Sequence, residues 1–198
     1  QALKMAKHIN EYNEQRKDID KQMTEEANLI VSRLETQKHN SSIVLYDEGW
    51  KKGVIGIVAS RLTEIYFRPT VVLTRDGDLA TGSARSVTGF DVYSAIKSCR
   101  DLLINFGGHT YACGLTMKWE NVKEFRDRFH QYVAEHIAPE QTEAMLNIDA
   151  MIDFKDITKQ LHADLKKFSP FGPCNPKPVF CTQNVYDYGT SKVVGREQ

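Results

Sequence analysis

The sequence predicts an α/β fold: a layered domain with a central mixed sheet, a long helix before it, and the truncated start of an OB-like β module after it. Three observations lead there. Residues 1–39 contain no Gly or Pro and repeat apolar side chains at helical spacing, while residues 43–138 alternate short β-type runs with amphipathic stretches. Four of the six prolines, Pro170, Pro173, Pro176 and Pro178, fall in one segment that separates this region from a β-type tail.

In the first 39 residues the stripe is Met5, Ile9, Tyr12, Ile19, Met23, Ile30 and Leu34, narrow and interrupted by Arg16 and Glu26. Such a helix is half-solvated. It begins at Gln1 with neither a capping residue nor an initiator Met, so it is expected to lead out of a further domain, making the chain a piece of a longer protein. Residues 43–46 (IVLY) form a buried strand that Asp47-Glu48-Gly49 ends. A helix over 53–66 packs closely on the sheet through Gly56 and Ala59, and Pro69 closes that region. Residues 70–74 are the second strand and 79–86 the third, a hairpin joined at Asp76-Gly77-Asp78. Asp91 caps a helix marked by Val92, Ile96, Leu102 and Leu103; residues 115–117 are a further strand. Asn121 and Glu124 open a helix with the stripe Val122, Phe125, Phe129, Tyr132, Val133 and Ile137. The expected organisation is a linking helix over 1–39, the α/β domain over 40–138 and a connector over 139–177. That connector holds a strand at 146–152 and a short helix near Leu161 and Leu165. A β module starts at 178–198, with strands at 179–182 and 184–188.

The charge balance, 26 basic against 26 acidic side chains, excludes nucleic-acid binding by bulk charge, which needs an excess of Lys and Arg. Any polyanion site must be local. Residues 50–115 carry eight basic against five acidic side chains, 116–165 six against ten and 166–198 five against two, so two mildly basic stretches bracket an acidic one and an anion site is expected in the basic stretches. No apolar run approaches a membrane span and no signal peptide opens the chain. Cys99, Cys113, Cys174 and Cys181 show neither zinc-site nor disulfide-framework spacing. A soluble cytoplasmic protein with reduced thiols is expected.

Two motifs suit phosphate. Thr81-Gly82-Ser83-Ala84-Arg85-Ser86 places hydroxyls and a guanidinium beside a small residue at a strand end, where Arg pairs bidentately with phosphate oxygens and Ser hydroxyls donate. Phe106-Gly107-Gly108-His109-Thr110 combines glycines that present backbone amides with an imidazole donor. Each also reads as ordinary structure: a polar strand end with a surface Arg, and a helix-to-strand turn with an exposed His. Lys51 and Lys52, beside Gly49 and Gly53 at a helix start, are either additional phosphate contacts or solvated charges. Trp50 and Tyr111 are candidates for base stacking or for packing. Residues 43–138 hold no metal-ligand spacing, no Ser-His-Asp signature and no Walker loop. This is a polyanion cradle without a catalyst.

Taken in order, Gly49-Trp50, GVIGIVASRL (53–62), GSARSVTGFDVYSAI (82–96), FGGHTYACGLTM (106–117) and FSPFGPCNPKPVF (168–180) resemble the C-terminal half of the RecJ family, the single-strand-specific exonucleases of the DHH phosphoesterase superfamily. The resemblance implies a processive 5′-to-3′ exonuclease acting on single-stranded DNA in recombination and repair. It implies an Mn²⁺ or Mg²⁺ centre in an N-terminal domain whose Asp-His-His motif this sequence lacks, so the chain by itself carries no catalytic or metal-binding residue. Ser83, Arg85, Ser86, Gly107, Gly108 and His109 match the family's substrate-binding positions. The implied partners are single-stranded DNA and repair proteins such as a single-strand-binding protein or a helicase. Two positions depart from the pattern: Lys51 stands where many relatives have His, and Cys113 where Ala is usual. A phosphoesterase of short oligonucleotides, a non-catalytic nucleic-acid-binding module and a partner-docking domain remain as alternatives.

Overall fold

A computed structural model describes residues 2–35, 41–172, 174–190 and 192, and the chain divides into two units, Gln1–Ala144 and Met145–Gln198. In the first unit five strands pair into one mixed sheet: β1 (Ile43–Asp47), β2 (Thr70–Asp76), β3 (Leu79–Arg85), β4 (Leu103–His109) and β5 (Ala112–Lys118), in the order β1-β2-β3-β5-β4. β1 and β2 are parallel; the other neighbouring pairs are antiparallel. The helices of this unit are α1 (Ala2–Glu35), α2 (Ile55–Tyr66), α3 (Val92–Lys97) and α4 (Val122–His136).

Each face of the sheet has its own core. On one, Val71, Leu73, Ala84, Leu115 and Met117 meet Val92 and Ile96 of α3 and Val122, Phe125, Phe129 and Val133 of α4. Phe125 and Phe129 are fully buried and stack at 5.7 Å between ring centres, each burial contributing about 2–3 kcal/mol. On the other, Ile43, Leu45 and Val72 are covered by Ile55, Val58, Ala59 and Leu62 of α2 and by Met23, Ala27 and Val31 of α1. The sheet residues under this second cover come only from β1 and β2. α2 also reaches β3 on this face, where Gly56 and Ser60 meet Ser83 and Arg85; beyond them the same face of β5 and β4 is left open, and that strip positions the candidate site.

The stripe expected for α1 divides in two. Its Met5, Ile9 and Tyr12 are exposed, whereas Met23 is buried beside Ala27 and Val31, which the expected stripe did not include, with Ile19 and Ile30 at their edge. Asp91 caps α3 as expected, accepting from the backbone N–H groups of Tyr93 (3.0 Å) and Ser94 (3.3 Å). α3 stops at Lys97, however, and Leu103 belongs to β4, so the Gly-Gly-His segment lies in a strand and not in a turn. Asn121 makes no side-chain cap for α4; its Nδ2 instead donates to the Leu102 carbonyl at 3.0 Å.

In the second unit β6 (Ala150–Met151) runs parallel to β7 (Phe180–Cys181), and α5 (Lys159–Lys166) is capped by Thr158. The strands expected at 146–152 and 179–182 shrink to these pairs. Residues 184–188 form no strand, and Val185, Tyr186 and Tyr188 are exposed. The side chain of Leu34, residues 36–40, Pro173 and residues 193–198 lie outside the described residues. No described helix is long and apolar enough to cross a membrane.

Candidate nucleic-acid interface

Strand alternation sets the site. Pairing of β3 with β2 and β5 turns Gly82 and Ala84 into the core, and therefore Ser83 and Arg85 onto the opposite face, beside the open strip. Gly82 admits no side chain, because a Cβ there would lie 2.5 Å from Leu73 Cδ2 and 3.0 Å from Leu115 Cδ2. Arg85 folds back against α2: its Nε donates to Ser60 Oγ at 3.1 Å, and its Nη1 donates to Ser83 Oγ and to the Ala84 carbonyl, both at 2.8 Å. Ser60 itself donates to the Gly56 carbonyl at 3.1 Å. Gly56 makes this approach possible, since a Cβ there would stand 3.0 Å from Arg85 Nη2 and 3.2 Å from Ser83 Oγ.

The guanidinium is thus oriented by two hydroxyls and a carbonyl, all neutral. Among the described residues no carboxylate pairs with Arg85, and its Nη2 has no hydrogen-bond partner. An uncompensated, pre-oriented guanidinium beside a serine hydroxyl is the donor set that phosphate oxygens accept from.

The sheet register brings the second motif to the same face. Arg85, Ala112 and His109 form one cross-strand row, and Ser83, Gly114 and Gly107 form the next. With strands about 4.8 Å apart, Arg85 and His109 are about 10 Å apart along the row, and only the small Ala112 stands between them. His109 is exposed, with no side-chain partner among the described residues. Gly108 is needed for the backbone itself, since its φ is +152° and a Cβ there would collide with the Ala112 carbonyl oxygen and lie 2.6 Å from Cys113 Cα.

Other expected contacts lie elsewhere. Ser86 closes the loop after β3, its N–H donating to the Tyr111 carbonyl (3.0 Å) and its hydroxyl to the Phe90 carbonyl (2.8 Å). Lys51 and Lys52 adjoin Trp50, whose carbonyl accepts from Thr74 at 2.7 Å. Arg85 is paired with Thr70, four residues and about 13 Å back along β2. Lys52 stands 3.6 Å from Asp76, so neither lysine joins the Arg85–His109 row. Trp50 is buried and donates to Glu26 Oε2 at 3.1 Å; Tyr111 is exposed at the β4–β5 turn. Ser60 and Gly114, which complete the strip, were not among the expected contacts, and Gly56 was expected only to let the helix pack closely on the sheet. The only signal for Ser60 and Gly56 as site residues is that they are small and one helical turn apart.

The strip does not fit a divalent metal ion. It offers one imidazole, hydroxyls and a cation, and no three His, Cys, Asp or Glu side chains gather into a metal-holding group among the described residues.

Residues 26–135 match the DHHA1 domain family and residues 148–198 the RecJ OB domain family. The chain is 36% identical over 186 residues to the single-stranded-DNA-specific exonuclease RecJ of Bacillus subtilis (strain 168), a match covering 93% of this chain and 23% of that protein. Among solved structures, RecJ of Thermus thermophilus in complex with Mg²⁺ aligns with a TM-score of 0.75 and 26% identity over 87% of this chain and 26% of its own. The Mn²⁺ complex of the same protein aligns at 0.74 and 26% identity over 88% of this chain and 25% of its own. The chain thus spans about a quarter of the length of these relatives. With a DHHA1 domain built around the open strip and a RecJ OB domain following it, the chain belongs to the RecJ family.

Proposed function

We propose that the chain is the substrate-gripping portion of a 5′-to-3′ single-stranded-DNA exonuclease of recombination and repair. Residues 40–138 hold the DNA backbone on the open strip, while a divalent-metal domain of the same protein, using Mn²⁺ or Mg²⁺, hydrolyses the phosphodiester bond. Residues 1–39 serve as the link, 139–177 as the connector and 178–198 as the start of the OB module. The protein acts in the cytoplasm, beside repair proteins such as a single-strand-binding protein or a helicase.

One observation carries this reading: Arg85, braced by Ser60 and Ser83 and paired with no carboxylate among the described residues, shares a cross-strand row with His109 on the partly open face of the sheet. The RecJ OB match over 148–198 supports a polymeric strand over a short oligonucleotide as substrate.

The test is made in the full-length protein. Arg85→Ala and His109→Ala should each weaken single-strand affinity and turnover by about tenfold or more, the loss expected for a charge-assisted hydrogen bond. The 198-residue chain alone should show no Mn²⁺-dependent turnover above a chelated control. Unchanged affinity and turnover in both variants would remove the gripping role, and docking of a partner on the acidic helix 121–137 would take its place.

A further inference from the structure

α1 is tied to the α/β domain by polar side chains as well as by its apolar stripe. Asp20 accepts from Arg61 Nε and Nη2 at 3.1 and 2.8 Å, Glu26 Oε2 accepts from Trp50 Nε1 at 3.1 Å, and Asn28 Oδ1 accepts from the Tyr66 hydroxyl at 3.2 Å. The partners belong to α2 and to the loop before it. Asp20 and Trp50 are buried, so their contacts are made where an unpaired polar group is costly.

Apolar packing fixes the position of α1 along its own axis only weakly. Ile19, Met23, Ala27 and Val31 recur every four residues, so sliding the helix by one turn puts one in the place of another. Only the fully buried Ala27, whose place a larger side chain would overfill, opposes the slide.

The polar contacts do not survive it. Four residues from Asp20 stand Arg16 and Thr24: the first would set a second cation against Arg61, and the second would leave Arg61 without a carboxylate there. Four residues from Glu26 stand Gln22 and Ile30, and Ile30 would leave the buried Trp50 N–H with no acceptor. A buried ion pair adds little net stability, and its best attested use is to fix the register of packed helices.

Register matters because α1 runs on. From Asp20 back to Ala2 it extends about 27 Å, and Leu3, Met5, Ile9 and Tyr12 along this half are exposed. A slide by one turn moves that half by about 6 Å. In the proposed reading, residues 1–39 link the gripping domain to the domain that cuts the strand. A misplacement of about 1 Å between reacting groups is enough to cost about a hundredfold in rate.

We infer that Asp20 is a positioning residue: with the Glu26–Trp50 contact, its pairing with Arg61 locks the register of the linking helix and so sets the distance between the gripped phosphate and the domain that hydrolyses it. The inference rests on the proposed linking and gripping reading and adds to it a determinant that touches no part of the strand.

Register is read directly in the 198-residue chain by pulsed electron spin resonance between labels on Tyr12→Cys and Glu64→Cys, with Cys174→Ser and Cys181→Ser removing the accessible thiols. This parent should give one narrow distance. Asp20→Arg should broaden it or shift it by up to about 6 Å, and adding Arg61→Asp should restore it. Asp20→Asn, which keeps the shape of the side chain, should broaden the distance while a urea melt shows the chain still folded.

In the full-length protein Asp20→Asn should lower kcat on saturating oligothymidylate by about tenfold or more and leave KM within about threefold. Asp20→Arg should do the same, and the charge-swapped pair should recover most of the loss. The 198-residue chain carrying Asp20→Asn should bind the strand within about threefold of the unaltered chain.

A narrow, unshifted distance in both Asp20 variants would overturn the register lock. A changed distance with kcat unaltered would overturn the positioning role, and so would a loss confined to KM, which would place the effect in the grip. The gripping reading is judged separately by Arg85→Ala. Strand binding by that variant equal to the unaltered chain would remove the grip and the positioning role with it, while the distances still decide the register lock.

Discussion

Ser60 of α2 and Arg85 of β3 are joined by a hydrogen bond of 3.1 Å from the guanidinium Nε to the hydroxyl, and this ties the orientation of the site's cation to a helix that forms the wall of the strip. Ser60 contributes no charge and stands behind the guanidinium, so it acts as a positioning residue. Ser60→Ala should keep the unfolding free energy within about 1 kcal/mol of the parent, because Nε can turn to water at a half-buried site. Single-strand affinity should fall about three- to tenfold as the guanidinium gains freedom that binding must then remove. Ser60→Thr, which keeps the hydroxyl, should restore most of it. A titration of the three proteins checks the ordering; equal affinity for the serine and alanine forms would show that Ser83 and the Ala84 carbonyl orient Arg85 unaided.

A second ion contact fixes α2 from behind. Asp20 of α1 accepts from Arg61 Nε at 3.1 Å and from Nη2 at 2.8 Å; the Asp20 side chain is 5% exposed and that of Arg61 52%. The two truncations should therefore differ. Arg61→Ala strands a buried carboxylate and should cost about 3 kcal/mol, whereas Asp20→Ala leaves a guanidinium that reaches water and should cost about 1–2 kcal/mol. Urea unfolding of both variants measures this. A larger loss for Asp20→Ala would mean that packing of the α1 backbone, and not the carboxylate, dominates the contact.

Legibility followed the range of the interactions involved. β1, β2, β3, α2 and α4 were readable because their apolar patterns are local and are punctuated by Pro69, Gly77 and Asn121. β4 was not. Val92, Ile96 and Leu102 continue a helical spacing into it, two glycines lower its strand propensity, and only Leu103 and Phe106 of its residues pack against the core. What makes β4 a strand is its pairing with β5, which no local pattern states. The same distinction holds within the site. Ser83 and Arg85 share one face through their spacing of two and could be read directly. Ser60 lies 25 residues from Arg85 and meets it only through the packing of α2 on β3. Ser86, adjacent to Arg85 in the motif, falls just past β3 and is drawn into the loop by Phe90.

His130 of α4 is a half-buried base whose titration makes stability depend on pH over a defined range. Its Nδ1 is 2.6 Å from Ser42 Oγ, and burial first, then the nearby Arg126 charge, push its pKa from the ordinary 6.5 down to about 4, with Asp127 opposing. In the unfolded chain the imidazole takes up its proton near pH 6.5, but in the folded chain only near pH 4. Between those values the unfolded state binds more protons, so stability rises with pH. The contribution is complete above pH 6.5 and is lost progressively as pH falls from 6.5 to about 4. At about 1.36 kcal/mol per unit the full window is worth about 3 kcal/mol. The difference in unfolding free energy between the parent and His130→Gln, from urea melts between about pH 7.5 and about pH 4.5, isolates this contribution from carboxylates common to both proteins. The parent should lose stability more steeply than the glutamine variant below pH 6.5, with parallel behaviour above it. Parallel curves across the whole range would show that His130 protonates in place, with α4 opening toward solvent to admit the charge.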